Sequence, residues 1–223
     1  MYKIRTLASD ENEKVIFRFL ELVPEDSIIL DIGANLGFIS FHLAQRRGCQ
    51  VLAFEPMPDN IATINRVIAS QKLTNVTLCP IALGDSEGSL TMVMPLNGKI
   101  PMQGLSHVAQ ESDLSSGLTF TVPVKRLDDL PEINNASKRV GGIKIDVEDY
   151  EYFVLKGGNA LLERDHPVIC IELWENENRP KVLNYLTGLG YVPHILDNNQ
   201  LRPFTDMNEK INTNNFICIA TNA

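Results

Sequence analysis

The sequence lacks a long apolar run, an excess of positive charge and a secretion signal. No stretch approaches the ~20 apolar residues of a membrane span, and the segment 1–13 has no signal-peptide core. Lysine and arginine number 20 against 28 aspartates and glutamates, so the net charge is −8. Such a charge disfavours a broad phosphate-binding surface. These absences favour a cytoplasmic protein with neither a membrane nor a nucleic acid as its partner.

Cysteine is scarce, and its spacing disfavours the usual structural uses of thiols. The four cysteines, Cys49, Cys79, Cys170 and Cys218, form no C-x-x-C pair, and three of them lie in apolar, strand-like runs. This pattern is typical of reduced core residues rather than of disulfides or metal ligands. The length of 223 residues and the hydrophobic content of 44% suit one globular domain, expected over 1–223.

The most informative segment that is present runs from 28 to 37. It is an apolar strand that leads into a turn with Gly33 and Gly37 and then into a helix predicted over 38–47. Glycines let the backbone approach a ligand closely, and the unpaired N–H groups of a helix N-terminus face that ligand. A second strand, predicted over 50–54, ends at Glu55. The separation in sequence between Gly33 and Glu55 is close to the ~20 residues at which nucleotide-binding βαβ units place a carboxylate on a ribose.

The chemistry of this turn disfavours a dinucleotide. The fingerprint G-x-G-x-x-G needs its second glycine to make room for a pyrophosphate, but Asn35 stands there, and Asp31 would repel phosphate. S-adenosylmethionine (SAM) has no phosphate, and it offers an ammonium to Asp31 and ribose hydroxyls to Glu55. An NAD(P)-dependent oxidoreductase and an ordinary βαβ turn with a helix-capping Asn35 remain alternatives at this point.

Strands and helices alternate along the rest of the chain, which predicts an α/β fold with a mostly parallel sheet and helices on both faces. Helices are predicted over 11–22, 58–72, 150–164 and 179–189, with a short helix or turn over 127–130. Further strands are predicted over 75–83, 89–94, 118–125, 140–147, 168–173, 191–196 and 215–220. The segment 1–26 is expected to be an N-terminal helical segment. The segment 86–123 contains a long loop and is expected to be an insertion that faces the substrate.

Charged residues concentrate where two predicted strands end. Lys144, Asp146 and Glu148 alternate along one strand and would share a face, and Glu172 ends the next strand. Three charges on one face of a buried strand are costly unless the strand opens into a site. Ligands bind at this carboxyl edge of open α/β sheets, where Asp31 would also lie. A solvated strand end, or a salt bridge of Lys144, is the structural alternative.

Three further residues have less specific signals. His107, in the insertion, is a candidate general base. Asp149 and Glu151 begin a predicted helix, where acidic side chains favour the positive end of the helix dipole, and we assign them that role.

Seven motifs together resemble those of the FkbM-type methyltransferases, a branch of the SAM-dependent Rossmann-like enzymes. They are LDIGANLG at 30–37, FEP at 54–56, ALG at 82–84, LDDL at 127–130, KIDVE at 144–148, LKG at 155–157 and IE at 171–172. The resemblance implies a Rossmann-like SAM methyltransferase fold, with a seven-stranded, mostly parallel sheet and an antiparallel last strand. It also implies methyl transfer, typically to a hydroxyl of a sugar or natural product. One departure is Asp149, where the family usually has glycine.

Carried over by position, the resemblance implies a cofactor site and a catalytic site. The cofactor residues are Asp31, Gly33, Asn35, Gly37, Glu55, Pro56 and Ala82. The resemblance places Asp146 and Glu148 at the reacting centre, and Lys144, Glu172 and His107 are further catalytic candidates from the residues themselves.

In this hypothesis Asp146 is the general base, oriented by Lys144. Alternatively Asp146, Glu148 and Glu172 are ligands of a divalent cation such as Mg²⁺. The expected partner is a small-molecule or glycan methyl acceptor. A nitrogen nucleophile, a non-catalytic SAM-binding protein and a homo-oligomer remain open.

Overall fold

Apolar β-branched runs form the centre of the fold, because strands that are buried on both faces need apolar side chains on each. The computed structural model describes residues 11–97, 100–101, 106–109 and 117–221. The helices are α1 Glu11–Leu22, α2 Phe38–Leu43, α3 Pro58–Gln71, α4 Pro131–Asn134, α5 Glu151–Lys156, α6 Asn159–Asp165 and α7 Asn178–Gly188. The strands are β1 Ile28–Ile32, β2 Gln50–Phe54, β3 Val76–Cys79, β4 Ala82–Leu83, β5 Gly88–Asn97, β6 Ile100–Pro101, β7 His107–Val108, β8 Gly117–Lys125, β9 Val140–Ile145, β10 Val168–Glu172, β11 Tyr191–Asp197, β12 Gln200–Pro203 and β13 Asn215–Ala220.

The main sheet has the order β12-β11-β13-β10-β9-β1-β2-β3. The strands from β10 to β3 pair in parallel, and β13 lies antiparallel between β10 and β11. The α/β class, the mostly parallel sheet and the antiparallel last strand are thus confirmed. The sheet has eight strands rather than seven, because β12 turns back on β11 through Asn198 and Asn199. Both asparagines have positive φ, as a tight hairpin turn requires.

Two apolar layers cover the faces of this sheet. Ile28, Leu30 and Ile32 of β1 pack with residues of α5, α6 and α7. Ile29 packs on the opposite face with Phe19 of α1 and with residues of α2 and α3. Alternate side chains of β1 therefore anchor both layers, and the carboxyl end of the strand is held between them.

The segment 86–123 contributes most of a second, smaller sheet. Its strands have the order β4-β8-β5-β6, with β7 paired to β5. Met57 of the main domain body packs with Met92, Met94 and Val122 of this sheet. The two strands predicted here are present, and the loop predicted between them lies partly outside the described residues.

Several predicted boundaries were wrong. The strand predicted over 75–83 is two strands in different sheets. The helix predicted over 150–164 is divided at Gly157, where a Cβ would lie 1.9 Å from the carbonyl oxygen of Gly84. The helix predicted over 38–47 ends at Leu43, and the strand predicted over 140–147 ends at Ile145.

All four cysteines are free and buried, as predicted for core residues. Within the described ranges, no helix is both long enough and apolar enough to cross a membrane.

Candidate functional site

The turn after β1 is held against two neighbouring strands. The amides of Gly33 and Ala34 both donate to the carbonyl oxygen of Phe54 at the end of β2, at 3.1 and 3.0 Å. Gly33 has φ +76°, and a Cβ there would lie 1.8 Å from the carbonyl oxygen of Asp146. Glycine is therefore required at position 33, because the turn touches the backbone that follows β9.

Glu55 follows β2 and ties the turn to α3. One of its carboxylate oxygens accepts from the amide of Asn35 at 2.8 Å, and the other accepts from the amide of Met57 at 2.9 Å. Only 4% of Glu55 is exposed. Burial raises the pKa of this carboxyl, while these hydrogen bonds oppose the rise.

Asn60, in the first turn of α3, is a site residue that sequence reasoning missed. Its side chain lies close to the carboxylate of Glu55 and helps to oppose the rise in the pKa of that carboxyl. Its Oδ1 is buried and has no hydrogen-bond partner within the described part of the chain. An unpaired acceptor beside a carboxylate suits a ligand with adjacent hydroxyl groups, such as a ribose. A carboxamide soon after Glu55-Pro56 is the sequence signal that could have indicated it.

A first cleft opens above these residues. Its volume, including the space that is open to solvent, is about 690 Å³. Its lining residues are Ile32, Gly33, Asn35, Phe54, Glu55, Pro56, Met57, Asn60, Ile81, Ala82, Leu83, Leu90, Met92, Ser106, Val108, Asp146, Val147, Glu148 and Tyr150. Five of the seven predicted cofactor residues are in this set, and the insertion contributes its apolar wall.

The two other predicted cofactor residues lie elsewhere. Gly37, with φ +79°, precedes α2, and a Cβ there would be 3.2 Å from Cγ1 of Ile64. Asp31 has no exposed surface, and one of its oxygens accepts from the Ser40 hydroxyl. Asp31 therefore does not reach the first cleft in this conformation, contrary to the expectation that it receives the cofactor ammonium directly.

Lys144 is the reason that Asp31 can be buried. Asp31 and Lys144 are register partners on β1 and β9. The Lys144 Nζ lies 3.6 Å from Oδ1 of Asp31 and 3.5 Å from Oδ2 of Asp146, and it donates to the Gly33 carbonyl oxygen at 2.8 Å. Burial alone would lower the pKa of Lys144, but Asp146 and Asp31 outweigh it and raise this pKa. A charged lysine thus connects the turn with Asp146.

A second cleft lies on the other side of Asp146, with a volume of about 980 Å³ counted out to solvent. Its lining residues are Ile16, Ile39, Lys144, Ile145, Asp146, Cys170, Glu172, Trp174, Ile211, Asn212, Thr213, Asn214 and Asn215. Asp146 lines both clefts, and 37% of its side chain is exposed. Glu148 lines only the first and Glu172 only the second, so the acidic residues share one sheet edge but are divided between two cavities.

Glu148 lies in a loop rather than in a strand, so alternation along β9 does not determine where it points. It has φ +50° and Asp149 has φ +70°, two left-handed residues in succession. Burial, with the charges of Asp146 and Asp149, raises the pKa of Glu148, and the charge of His107 opposes the rise. His107, on β7, therefore lies within electrostatic reach of Glu148.

Glu151 has a role that differs from the predicted interaction with a helix dipole. It is only 2% exposed, although it begins α5. Its Oε1 accepts from the amide of Val147 at 3.1 Å, and its Oε2 accepts from Nδ2 of Asn178 at 2.7 Å. Burial is the main reason that its pKa is raised to about 7. Glu151 therefore holds the loop after β9 in place.

The predicted divalent cation finds no matching site. Among residues 11–97, 100–101, 106–109 and 117–221, no group of three or more His, Cys, Asp or Glu side chains is arranged to hold a metal ion. Glu148 and Glu172, two of the predicted ligands, line different clefts. The described residues therefore do not fit Mg²⁺.

Comparison with known proteins relates this geometry to a family. The model of the family described as methyltransferase FkbM domain matches residues 31–193, which is well over half of the chain. The matched range contains the turn after β1, Glu55, Asp146 and Glu172.

Two curated relatives are methyltransferases by name. "Methyltransferase 1" of Beauveria bassiana is 30% identical over 148 residues, which cover 60% of this chain and 59% of that protein. "Hexuronic acid methyltransferase AglP" of Haloferax volcanii is 28% identical over 169 residues, covering 76% of this chain and 64% of that protein. The chain spans about three fifths of the length of these two relatives.

A solved structure has the same fold. It is methyltransferase FkbM from Methylobacillus flagellatus KT, with a TM-score of 0.56 and 15% identity. The match covers 97% of this chain and 57% of that chain. At this identity the likeness shows the fold.

Proposed function

The chain belongs to the FkbM family of SAM-dependent methyltransferases, and from this premise we propose that it methylates an oxygen of a sugar, glycan or natural product. The observation that carries the proposal is the position of Asp146, which lines both the first and the second cleft. In this proposal the first cleft takes SAM, the second takes the acceptor, and the methyl group passes between them beside Asp146. Family membership removes the oxidoreductase alternative.

In this proposal, residues of the first cleft would hold SAM. The Glu55 carboxylate and the Asn60 Oδ1 would hold the two ribose hydroxyls by accepting hydrogen bonds from them. Met92 and Val108 supply apolar surface for the purine. When bound, SAM supplies a methyl group on a sulfonium, which is already activated toward attack. The main task of the protein is then to position the acceptor in line with that methyl group.

Asp31 becomes a positioning residue in this account, because it is buried beneath the turn. Together with Asp146 it keeps Lys144 charged. Lys144 in turn holds both the Gly33 carbonyl oxygen and the Asp146 carboxylate. This arrangement fixes the carboxylate beside the turn that binds the cofactor.

Asp146 is the proposed general base. Asp146 would take the proton of the acceptor hydroxyl as the acceptor oxygen attacks the methyl group that bound SAM would supply. Glu172 and the half-exposed Trp174 are available to bind the acceptor in the second cleft. Glu148 lines the first cleft, and His107 lies within electrostatic reach of Glu148.

The named activity of AglP supports a sugar as the acceptor class, and an amine remains the second candidate. The test is a screen with isotopically labelled SAM over neutral sugars, uronic acids, phenols and amines, with product masses as the readout. A product that is stable to mild alkali and to acid identifies an ether, whereas an alkali-labile product identifies a methyl ester on a carboxylate. Label found only on amines, or on no acceptor in any class, would overturn the proposal for oxygen.

The screen includes Asp146→Asn and, as a matched control, Asp197→Asn on the β11 hairpin. A hydroxyl acceptor needs the base, so Asp146→Asn removes most of the activity and Asp197→Asn keeps it. A carboxylate acceptor is already deprotonated at neutral pH, so its methylation does not need Asp146 as a base. Equal activity of both variants with a hydroxyl acceptor would exclude Asp146 as the base.

A further inference from the structure

Two side-chain bridges join the loop after β9 to the loop after β10. The inner bridge runs from Nδ2 of Asn178 to Oε2 of Glu151, at 2.7 Å. The outer bridge runs from Nδ2 of Asn176 to Oδ1 of Asp149, also at 2.7 Å. We name these four residues the loop clamp. Glu151 is buried, whereas Asp149 and Asn176 are exposed, so the inner bridge is the stronger of the two.

Each half of the loop clamp also fixes the backbone of its own loop. In the first loop, Glu151 accepts from the amide of Val147. In the second loop, the amide of Asn176 donates to the carbonyl oxygen of Trp174 at 2.8 Å, and its Oδ1 accepts from the amide of Asn178 at 2.9 Å. Moving one loop therefore requires the other to move, or the bridges to break.

The two loops carry the groups that face the two clefts. The first loop contains Asp146, whose carbonyl oxygen contacts the turn at Gly33, and Glu148. The second loop contains Trp174, which lines the second cleft together with Glu172. None of the four residues of the loop clamp lines either cleft within the described part of the chain. They can act on a bound molecule only through the residues that they hold.

The backbone of the first loop has a conformation that needs such support. Glu148 and Asp149 are consecutive left-handed residues, and neither is glycine. Non-glycine residues persist in this region when surrounding contacts hold them there. Asp149 tolerates the left-handed region and, unlike glycine, offers an oxygen to Asn176.

We propose that the loop clamp is a set of positioning residues that couples the two clefts, so that a ligand in the first cleft orders Trp174 in the wall of the second. The assignment of the second cleft to the acceptor rests on the proposed function. The coupling itself needs only a ligand in the first cleft and can be measured without an acceptor.

Trp174 provides the measurement, because it is the single tryptophan of the sequence and is 49% exposed. The probe is S-adenosylhomocysteine (SAH), the demethylated form of SAM, with calorimetry for its affinity and acrylamide quenching for the exposure of Trp174. In the wild type we expect SAH to lower the quenching constant about twofold, since ordering of the loop shields the indole.

The decisive variants are Asn178→Ala, which removes the inner bridge, and Asp149→Gly, which removes the outer bridge and suits φ +70°. In both, SAH affinity stays within about threefold of the wild type. The effect of SAH on Trp174 quenching is lost in Asn178→Ala and weakened in Asp149→Gly, where the stronger inner bridge remains. Glu151→Gln is the conservative variant, because the glutamine oxygen still accepts from Val147 and Asn178 can present its Oδ1 to the new amide. It retains the quenching response, as does the control Asn208→Ala in an exposed turn.

The outcomes separate the coupling from the proposed function. An unchanged quenching response in Asn178→Ala and Asp149→Gly, with SAH bound, would overturn the loop clamp. The same conclusion would follow if these variants lost SAH affinity, since the four residues line neither cleft. Absence of SAH binding by the wild type would refute the cofactor assignment instead. Thermal unfolding checks each variant, and Asp149→Gly decides the question if Asn178→Ala does not fold.

Discussion

Glu55 provides the sharpest quantitative prediction, because its carboxylate has both a structural and a binding role. The two oxygens already accept from the amides of Asn35 and Met57. Each oxygen has a second lone pair that a ribose hydroxyl can use. A hydrogen bond to a charged group contributes about 1.5–3 kcal/mol, so Glu55→Ala should weaken SAH binding about 10- to 150-fold.

Glu55→Gln separates the two roles of this residue. Glutamine keeps one acceptor oxygen but turns its NH₂ toward the other backbone amide, which leaves a buried donor unpaired. The loss in unfolding free energy is therefore about 1–3 kcal/mol, partly offset because a buried charge is removed.

Calorimetric titration with SAH and thermal unfolding measure the two effects separately. Asp59→Asn, which changes an exposed acid on the same helix, is the matched control and retains wild-type affinity. If Glu55→Ala folds and binds SAH as tightly as the wild type does, the assignment of Glu55 to the ribose is wrong.

Three other substitutions test separate parts of the account. Asp146→Asn should lower turnover of a hydroxyl acceptor about 10²- to 10⁴-fold, the usual contribution of a general base. SAH affinity, measured by calorimetry, should be unchanged. Near-normal turnover would refute the role of Asp146 as the general base. Gly33→Ala should lower the free energy of unfolding, measured in urea, by more than about 2 kcal/mol, because its Cβ would meet the Asp146 carbonyl oxygen. Gly188→Ala, with open space around its Cβ, should not lower this free energy. Equal stabilities of the two variants would contradict the close contact at Gly33. For Glu151, the folded-state pKa of about 7 exceeds the ordinary 4.5, so the folded state holds a proton that the unfolded chain releases and stability falls as pH rises from about 4.5 to 7. The stability of the wild type relative to Glu151→Gln should therefore fall by up to about 3 kcal/mol across that window, and a difference that does not vary with pH would refute the raised pKa.

Patterns along the chain predicted the centre of the fold well. The apolar run before Gly33 and the offset of Glu55 depend on contacts within one βαβ unit, so local spacing contains the necessary information. The split of the helix at Gly157 depends instead on the carbonyl oxygen of Gly84, which is distant in sequence. Periodicity contains no record of such a contact.

The candidate site was predictable in part for the same reason. Residue types at strand ends indicated Asp146 and Glu172, because the carboxyl ends of parallel strands share an edge. The burial of Asp31 depends on its register with Lys144 across β1 and β9, and strand register cannot be read from either strand alone. Glu151 looked like an ordinary helix-initiating acid, because its partner Asn178 lies on the far side of β10 in the chain.

One molecule should occupy the first cleft and point its sulfur at Asp146. A crystal structure of the protein with SAH measures this directly. We predict ribose hydroxyls on Glu55 and Asn60, and a sulfur atom at the boundary of the two clefts beside Asp146. SAH found in the second cleft, or with its sulfur on the far side of the first cleft from Asp146, would contradict the account.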